Sequence, residues 1–262
     1  MRTVAPFALA LHQTPSGPTA APMAVGIAGV RRVLRASAAA GRRFVPLSAV
    51  GPDGPPPGSA TLTVDDGYAS NILCLAPLLR ELGVPWTVFV LVRTLGRSNR
   101  WDLGWVGHRE RHLSAEDVRA LAAEGVTIGS HGLEHRDFTR LDDRALEATL
   151  DESRARLAEL AGRPVDAVSY PWGRVDARVA RAAARAGYRL GFALRPPRGL
   201  PEELRALALP RTAVYAPDQI PGVFRATGPW AAAPLRALRD ALTAAGGAVV
   251  LAALAARGSR HA

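Results

Sequence analysis

"ATLTVDDGYAS" (60–70) decides how the rest of the chain is read. It begins as a β-branched, apolar run, the composition of a strand, and ends in two adjacent carboxylates, Asp65 and Asp66, followed at once by Gly67. An Asp-Gly pair alone is a turn signal. Two like charges at the end of a strand raise a second reading, a metal site with its own base. What other strands bring to the same place decides between them.

Outward from that stretch, strand-like and helix-like segments alternate. "FALALH" (7–12) and "RFVPLSAV" (43–50) read as short strands, and "PMAVGIAGVRRVLRASAAAG" (22–41) as a helix ended by a glycine. "GPDGPPPG" (51–58) is a loop by composition. "ILCLAPLLRELG" (72–83) reads as a helix stopping at Gly83 despite Pro77, and "PWTVFVLV" (85–92) as a strand buried on both faces. "SAEDVRALAAEG" (114–125) opens with a capping box in which Asp117 stands for the usual Glu or Gln. "VTIGSH" (126–131) is a strand ending in a histidine, and "DDRALEATLDESRARLAELAG" (142–162) a long amphipathic helix. "AVSYP" (167–171), a helix over 175–186 and "YRLGFAL" (188–194) continue the series. The alternation predicts a parallel sheet or barrel. Residues 195–228 are rich in proline and glycine and carry no clear assignment.

Composition narrows the partners. The 262 residues, 48% hydrophobic and 21% charged, suit one sizeable folded α/β domain and exclude a disordered chain. The net charge is +10, and all 33 basic residues are arginines scattered along the helices, a compositional bias rather than a nucleic-acid groove, so no nucleic-acid partner is expected. Cys74 is the single cysteine, which excludes an intrachain disulfide and fits a reducing compartment. His12 interrupts the short apolar stretch of "MRTVAPFALALHQTPSGP" (1–18), so no signal peptide is expected. The apolar tail "ALTAAGGAVVLAALAARGSRHA" (241–262) falls short of the ~20 residues a membrane span needs. The expectation is a cytoplasmic catalytic domain over 1–228 and an Ala/Arg-rich helical extension over 229–262, packed or in peripheral contact with a membrane surface.

Functional groups in such folds gather at the C-terminal ends of the strands. Three sets occupy those ends: Asp65 with Asp66, His131 with His135, and "YPWG" (170–173), which carries Tyr170 and Trp172. On a helical turn the four-residue spacing of His131 and His135 would put both imidazoles on one face, a metal-ligand arrangement. A carboxylate would complete a His₂Asp set with positions open for water and substrate. Gly132 follows His131 where a zinc protease has its glutamate, so the base must come from elsewhere, and the second aspartate of the pair offers one. Singly, each set has a bland reading: a turn, a solvated histidine pair, another turn. Their joint appearance at strand ends favours one site.

"LTVDDGYAS" (62–70), "IGSHGLEHRDFTRL" (128–141) and "VSYPWGRVDARVARAAARAGYRLGFAL" (168–194) resemble the motifs of the polysaccharide deacetylase family, the NodB-homology domain or carbohydrate esterase family 4. The resemblance implies a distorted (β/α) barrel over about residues 5–215 and a divalent metal, zinc, used to remove acetyl groups from N-acetylated saccharides. It implies Asp65 as catalytic base, Asp66, His131 and His135 as metal ligands, and the Trp172 N–H as oxyanion donor, with Tyr170 beside it. "LPR" (209–211) resembles the arginine-bearing fourth motif. Two departures stand out. The third-motif arginine that holds the base is missing, with Ser169 or Tyr170 near its place, so Arg211 is expected to take over. The late histidine motif that supplies the acid is absent, and His261 lies in the tail. "ALALHQ" (8–13) is similar to the opening strand of poly-N-acetylglucosamine deacetylases, which makes His12 the candidate acid; its alternative is a solvent-exposed strand end. Rival readings are a same-fold hydrolase of O-acetyl esters or cyclic amides, and a catalytically silent glycan-binding domain.

Overall fold

The structure, a computed structural model, describes residues 7–17, 23–99, 110–194, 196–197 and 199–215. Its strands are β1 (Phe7–Leu11), β2 (Arg43–Phe44), β3 (Ser59–Val64), β4 (Trp86–Val90), β5 (Thr127–Ser130), β6 (Ala167–Ser169), β7 (Leu190–Ala193) and β8 (Leu209–Ala213). Its α-helices are α1 (Ile27–Ala39), α2 (Ala76–Glu81), α3 (Ala115–Ala123), α4 (Asp143–Ala161) and α5 (Ala177–Arg185). All strand pairings among the described residues are parallel, in the order β1-β8-β7-β6-β5-β4-β3, and a β1–β3 pairing closes seven strands into a barrel. β2 stays outside the ring, paired with the first residues of β3.

Period-two alternation sorts the strand residues into two layers. Leu9, Leu11, Leu62, Val64, Val88, Val90, Ile128 and Val168 pack with the helices in the larger core. Ala8, Phe89, Ala167, Phe192 and Leu209 form a second, smaller core within the ring. The helices cover the ring with apolar stripes; α4 buries Leu146, Leu150, Leu157 and Leu160, spaced to keep one face inward. Asp142 caps that helix by accepting from the Ala145 N–H at 2.8 Å. The capping box of α3 is formed, with Ser114 Oγ accepting from Asp117 N–H and Asp117 accepting from Ser114 N–H.

Three expectations change. The strand expected over 43–50 stops at Phe44, and after Pro46, which has no N–H for a ladder, the chain makes a 3₁₀ turn over Leu47–Ala49. The helix expected over 72–83 starts as a π turn, Asn71–Leu75, before α2, and Pro77 sits in the first α turn where no N–H is needed. The unassigned stretch after residue 195 supplies a 3₁₀ segment, Glu202–Ala208, and then β8, the strand that closes the barrel. The 228/229 boundary and the tail's expected membrane contact lie outside the described residues. No helix among the described residues is long and apolar enough to cross a membrane.

Gly129 of β5 makes room for the Phe89 ring: a Cβ there would lie 2.4 Å from two Phe89 ring atoms and 3.3 Å from the Ala167 carbonyl. Phe89 is fully buried against Phe192, ring centroids 5.7 Å apart. Gly129→Ala is therefore expected to lower the unfolding free energy by about 1–3 kcal/mol, the usual range for overpacking. Urea unfolding checks this; unchanged stability would contradict the packing.

Candidate metal centre and catalytic site

Both carboxylates of the pair are buried, each only 3% exposed, and they meet different partners. Asp65 continues the β3 ladder, its N–H donating to Leu11 O at 2.8 Å. Its carboxylate receives Arg211 from β8 in a fork, Nη1 to Oδ1 at 2.7 Å and Nη2 to Oδ2 at 2.6 Å. The same guanidinium donates to Thr63 Oγ1 at 3.0 Å and Ser169 Oγ at 2.7 Å, and Ser169 Oγ donates to Asp65 Oδ2 at 3.1 Å. Beneath it, the Phe89 and Phe192 rings lie 5.7 and 5.9 Å from Arg211 Cζ. Burial pushes the Asp65 carboxyl up, but the charges of Arg211 and His131 and the Arg211 hydrogen bonds outweigh it and hold the group well below the usual carboxylate range.

Asp66 takes a left-handed backbone, φ 68°, and Gly67 follows at φ 60°. The chain thereby turns off the strand, and the second carboxylate meets the β5 side of the rim. Asp66 Oδ1 lies 3.3 Å from His131 Nε2 and 3.7 Å from His135 Nε2, and one ligand atom from each of the three residues falls within 4.8 Å of the others. His131 Nδ1 is 2.7 Å from the Ser169 carbonyl, which can only accept, so Nδ1 carries the proton. In the neutral ring Nε2 is then a bare lone pair facing a carboxylate oxygen that is buried and accepts no hydrogen bond among the described residues. Two lone pairs aimed at each other call for a cation between them. Donors bonded at ~2.0–2.1 Å to a tetrahedral zinc lie about 3.4 Å apart, close to the 3.3 and 3.7 Å from Asp66 Oδ1 to the two imidazoles. Burial depresses the His131 pKa, yet the charges of Asp65 and Asp66 hold it above its ordinary value. His135, with less support, is pushed by burial down to about 3 and offers a neutral imidazole.

The two histidines do not converge on a helical turn, as expected from their spacing. The stretch after β5 is an irregular loop that turns at Gly132, φ 90°, where a Cβ would lie 2.6 Å from the Phe138 ring. His12 follows β1, its side chain 13% exposed and its Nε2 4.0 Å from Asp65 Oδ2, and Asn71 Nδ2 donates to its carbonyl at 2.8 Å. Burial lowers the His12 pKa, against the opposing pull of Asp66 and Asp65. Trp172 holds a left-handed conformation, φ 62° and ψ 7°, unusual for a bulky side chain, and its ring meets His135 edge-on with centroids 4.6 Å apart. Its N–H lies in the first turn of a 3₁₀ segment, Pro171–Gly173, where such groups have no intrahelical acceptor.

Tyr170 is not brought to the cleft by its side chain: the ring is fully buried and its hydroxyl donates to the Leu207 carbonyl at 2.8 Å. Arg211 is likewise enclosed behind Asp65 rather than open to a substrate, with its side chain 1% exposed. Nothing in the local sequence marks Ser169 and Thr63 as holding the arginine. The signals available are the period of two, which aligns Thr63 with Asp65, and the absence of the arginine that the resemblance implies near Ser169 or Tyr170.

Arg211→Met strands a buried carboxylate and should remove about 3–5 kcal/mol of stability at neutral pH. The sign with pH follows from the depressed carboxyl. In the native protein its contribution is full above the ordinary value of 3.8 and fades as pH falls toward the lower folded value. In the variant burial lifts the same carboxyl, so acid relieves it. The stability deficit should shrink between pH ~7 and pH ~4.5 in urea unfolding; a constant or growing deficit would contradict the pairing.

A family model described as polysaccharide deacetylase matches residues 53–191. YxkH of Bacillus subtilis (strain 168), which bears a polysaccharide deacetylase name, is 27% identical over 135 residues, 52% of this chain and 44% of that protein. The chain thus spans less than half the length of that relative. Two solved structures share the fold: IcaB of Ammonifex degensii, with TM-score 0.64, 21% identity and coverage of 82% of this chain and 93% of that one, and deacetylase PplD of Streptococcus pyogenes in complex with acetate, with TM-score 0.65, 18% identity and coverage of 81% and 93%. The family match takes in Asp65, Asp66, His131, His135 and Trp172, while His12 and Arg211 fall outside it. Since the match runs over more than half of the residues and includes both aspartates and both histidines, the chain belongs to the polysaccharide deacetylase family.

Proposed function

We propose that this chain is a metal-dependent hydrolase that removes acetyl groups from N-acetylated saccharides, with Asp66, His131 and His135 holding one zinc ion. What supports this above all is the separation of two neighbouring carboxylates into two environments, one facing two imidazoles and one locked to an arginine. A divalent ion, when bound, supplies Lewis acidity for the acetyl carbonyl and lowers the pKa of water.

The protein's own groups divide the proton transfers. Asp65 is ionised throughout the neutral range and accepts the proton of the attacking water. Arg211 and Ser169 fix the carboxylate so that it keeps one orientation while it does so. The Trp172 N–H donates to the oxygen that gains negative charge at the carbonyl. His12, depressed by burial, rests neutral and must acquire the proton it gives to the leaving nitrogen. Asp65 Oδ2 is its source: it lies 4.0 Å from His12 Nε2, and a small swing of the His12 ring brings the two within hydrogen-bond reach. Water adds to the carbonyl carbon, the C–N bond breaks, and acetate and a free amine leave.

The test uses the purified chain, its metal content and an N-acetylglucosamine oligosaccharide. His131→Ala should lose bound zinc and amine release together. Asp65→Asn should keep zinc while turnover falls by about 10²–10⁴-fold, the usual contribution of a general base. Release of acetate only from O-acetyl esters, with no free amine from amides, would replace the N-acetyl reading. Full zinc content in His131→Ala would overturn the ligand set.

A further inference from the structure

We propose that His112 is a positioning residue that holds Asp66 in its left-handed conformation and so aims its carboxylate at His131 and His135; this rests on the metal reading above. His112 lies outside every motif, in the segment that runs antiparallel beside the Asp-Asp-Gly turn. Ala69 N–H donates to Arg111 O at 2.8 Å, Leu113 N–H donates to Gly67 O at 2.7 Å, and Tyr68 and His112 face each other across a bridge. The His112 side chain completes this brace. It is buried, and its Nδ1 lies 2.9 Å from the Asp66 carbonyl. A carbonyl only accepts, so Nδ1 carries the proton and donates.

The ring is itself fixed. It stacks on Tyr68 with centroids 4.8 Å apart and planes 20° from parallel, and the Tyr68 hydroxyl accepts from Asn99 Nδ2 at 2.9 Å. The site needs such a device for a stereochemical reason. A left-handed φ is unfavourable for a residue with a Cβ; Asp tolerates it better than most, yet Asp66, unlike Gly67, still has the extended alternative at lower energy. Relaxation to negative φ would redirect that Cβ and carry the carboxylate off the imidazole pair. A hydrogen bond to the carbonyl of that residue, from a ring that cannot turn, opposes the relaxation. A residue behind a metal ligand of this kind typically changes metal affinity by about 10–100-fold.

The experiment is chelator competition for zinc by the full chain and two variants. His112→Phe keeps the stack on Tyr68 and removes the donor; His112→Asn offers an amide N–H in place of Nδ1–H. His112→Phe should weaken zinc binding by about 10–100-fold, and His112→Asn should recover most of it. Thermal unfolding without metal separates a packing role, which would shift the midpoint and leave zinc affinity alone. Zinc affinity in His112→Phe within about twofold of the unchanged protein would overturn the proposal while leaving the metal reading intact. No zinc binding by the unchanged protein would overturn the metal reading, and this proposal with it. If His112→Phe does not fold, nitrogen NMR of the unchanged protein decides: a protonated Nδ1 is expected, and protonation at Nε2 alone would overturn the assignment.

Discussion

Two carboxylates next to each other in the chain are buried together, and burying charge without a partner is unfavourable by several kcal/mol per ion. The rim of the barrel is built around that constraint. One shared counter-charge would leave both groups competing for it. The chain instead sends them in different directions. Asp65 keeps the extended geometry of β3 and points at a guanidinium planted in the barrel. Asp66 leaves that geometry through a left-handed turn and points at two imidazoles. Each aspartate thereby has a chemistry the other lacks. One is fixed, ionised and hydrogen-bonded; the other retains a bare oxygen suited to a cation.

Ser169 couples the two halves. Its hydroxyl bridges Arg211 and Asp65, while its carbonyl accepts from His131 Nδ1 and so leaves Nε2 turned toward Asp66. A small residue at the end of β6 is needed for this, because the guanidinium occupies the space beside it. The resemblance implies an arginine near Ser169 or Tyr170; here the arginine that holds Asp65 enters from β8, with Ser169 beside it. Phe89 and Phe192 supply the floor on which the guanidinium rests, and Gly129 gives Phe89 its room. The inner packing of the barrel and the orientation of the Asp65 carboxylate are thus one structure.

Much of this was legible in the sequence because it is carried by local patterns. The alternation of apolar runs and amphipathic stretches points to a parallel sheet or barrel, the resemblance to the barrel, and "PWTVFVLV" and "VTIGSH" fall where β4 and β5 form. The aspartate pair and the two histidines stand out because strand ends and spacing mark them. Less legible was whatever depends on contacts far apart in the chain. β8 hid in a proline-rich stretch because its strand character comes from pairing with β1 and β7 rather than from its own composition. The spacing of the histidine pair suits a helical turn and does not reveal that Gly132 bends the loop. Tyr170 looked like part of the cleft, yet its hydroxyl finds an acceptor at Leu207, inside the fold. His112 carried no signal: its partner is a backbone carbonyl, which leaves no mark in a sequence.

The central claim is that the two neighbouring carboxylates are separated, one to an arginine and one to a metal ion. A crystal structure of the zinc-loaded protein, with anomalous scattering at the zinc edge, tests it most directly. The account predicts a single zinc peak bonded to Asp66, His131 and His135, with Asp65 still held by both Arg211 nitrogens. A zinc bonded to Asp65, with Arg211 released from it, would contradict the account.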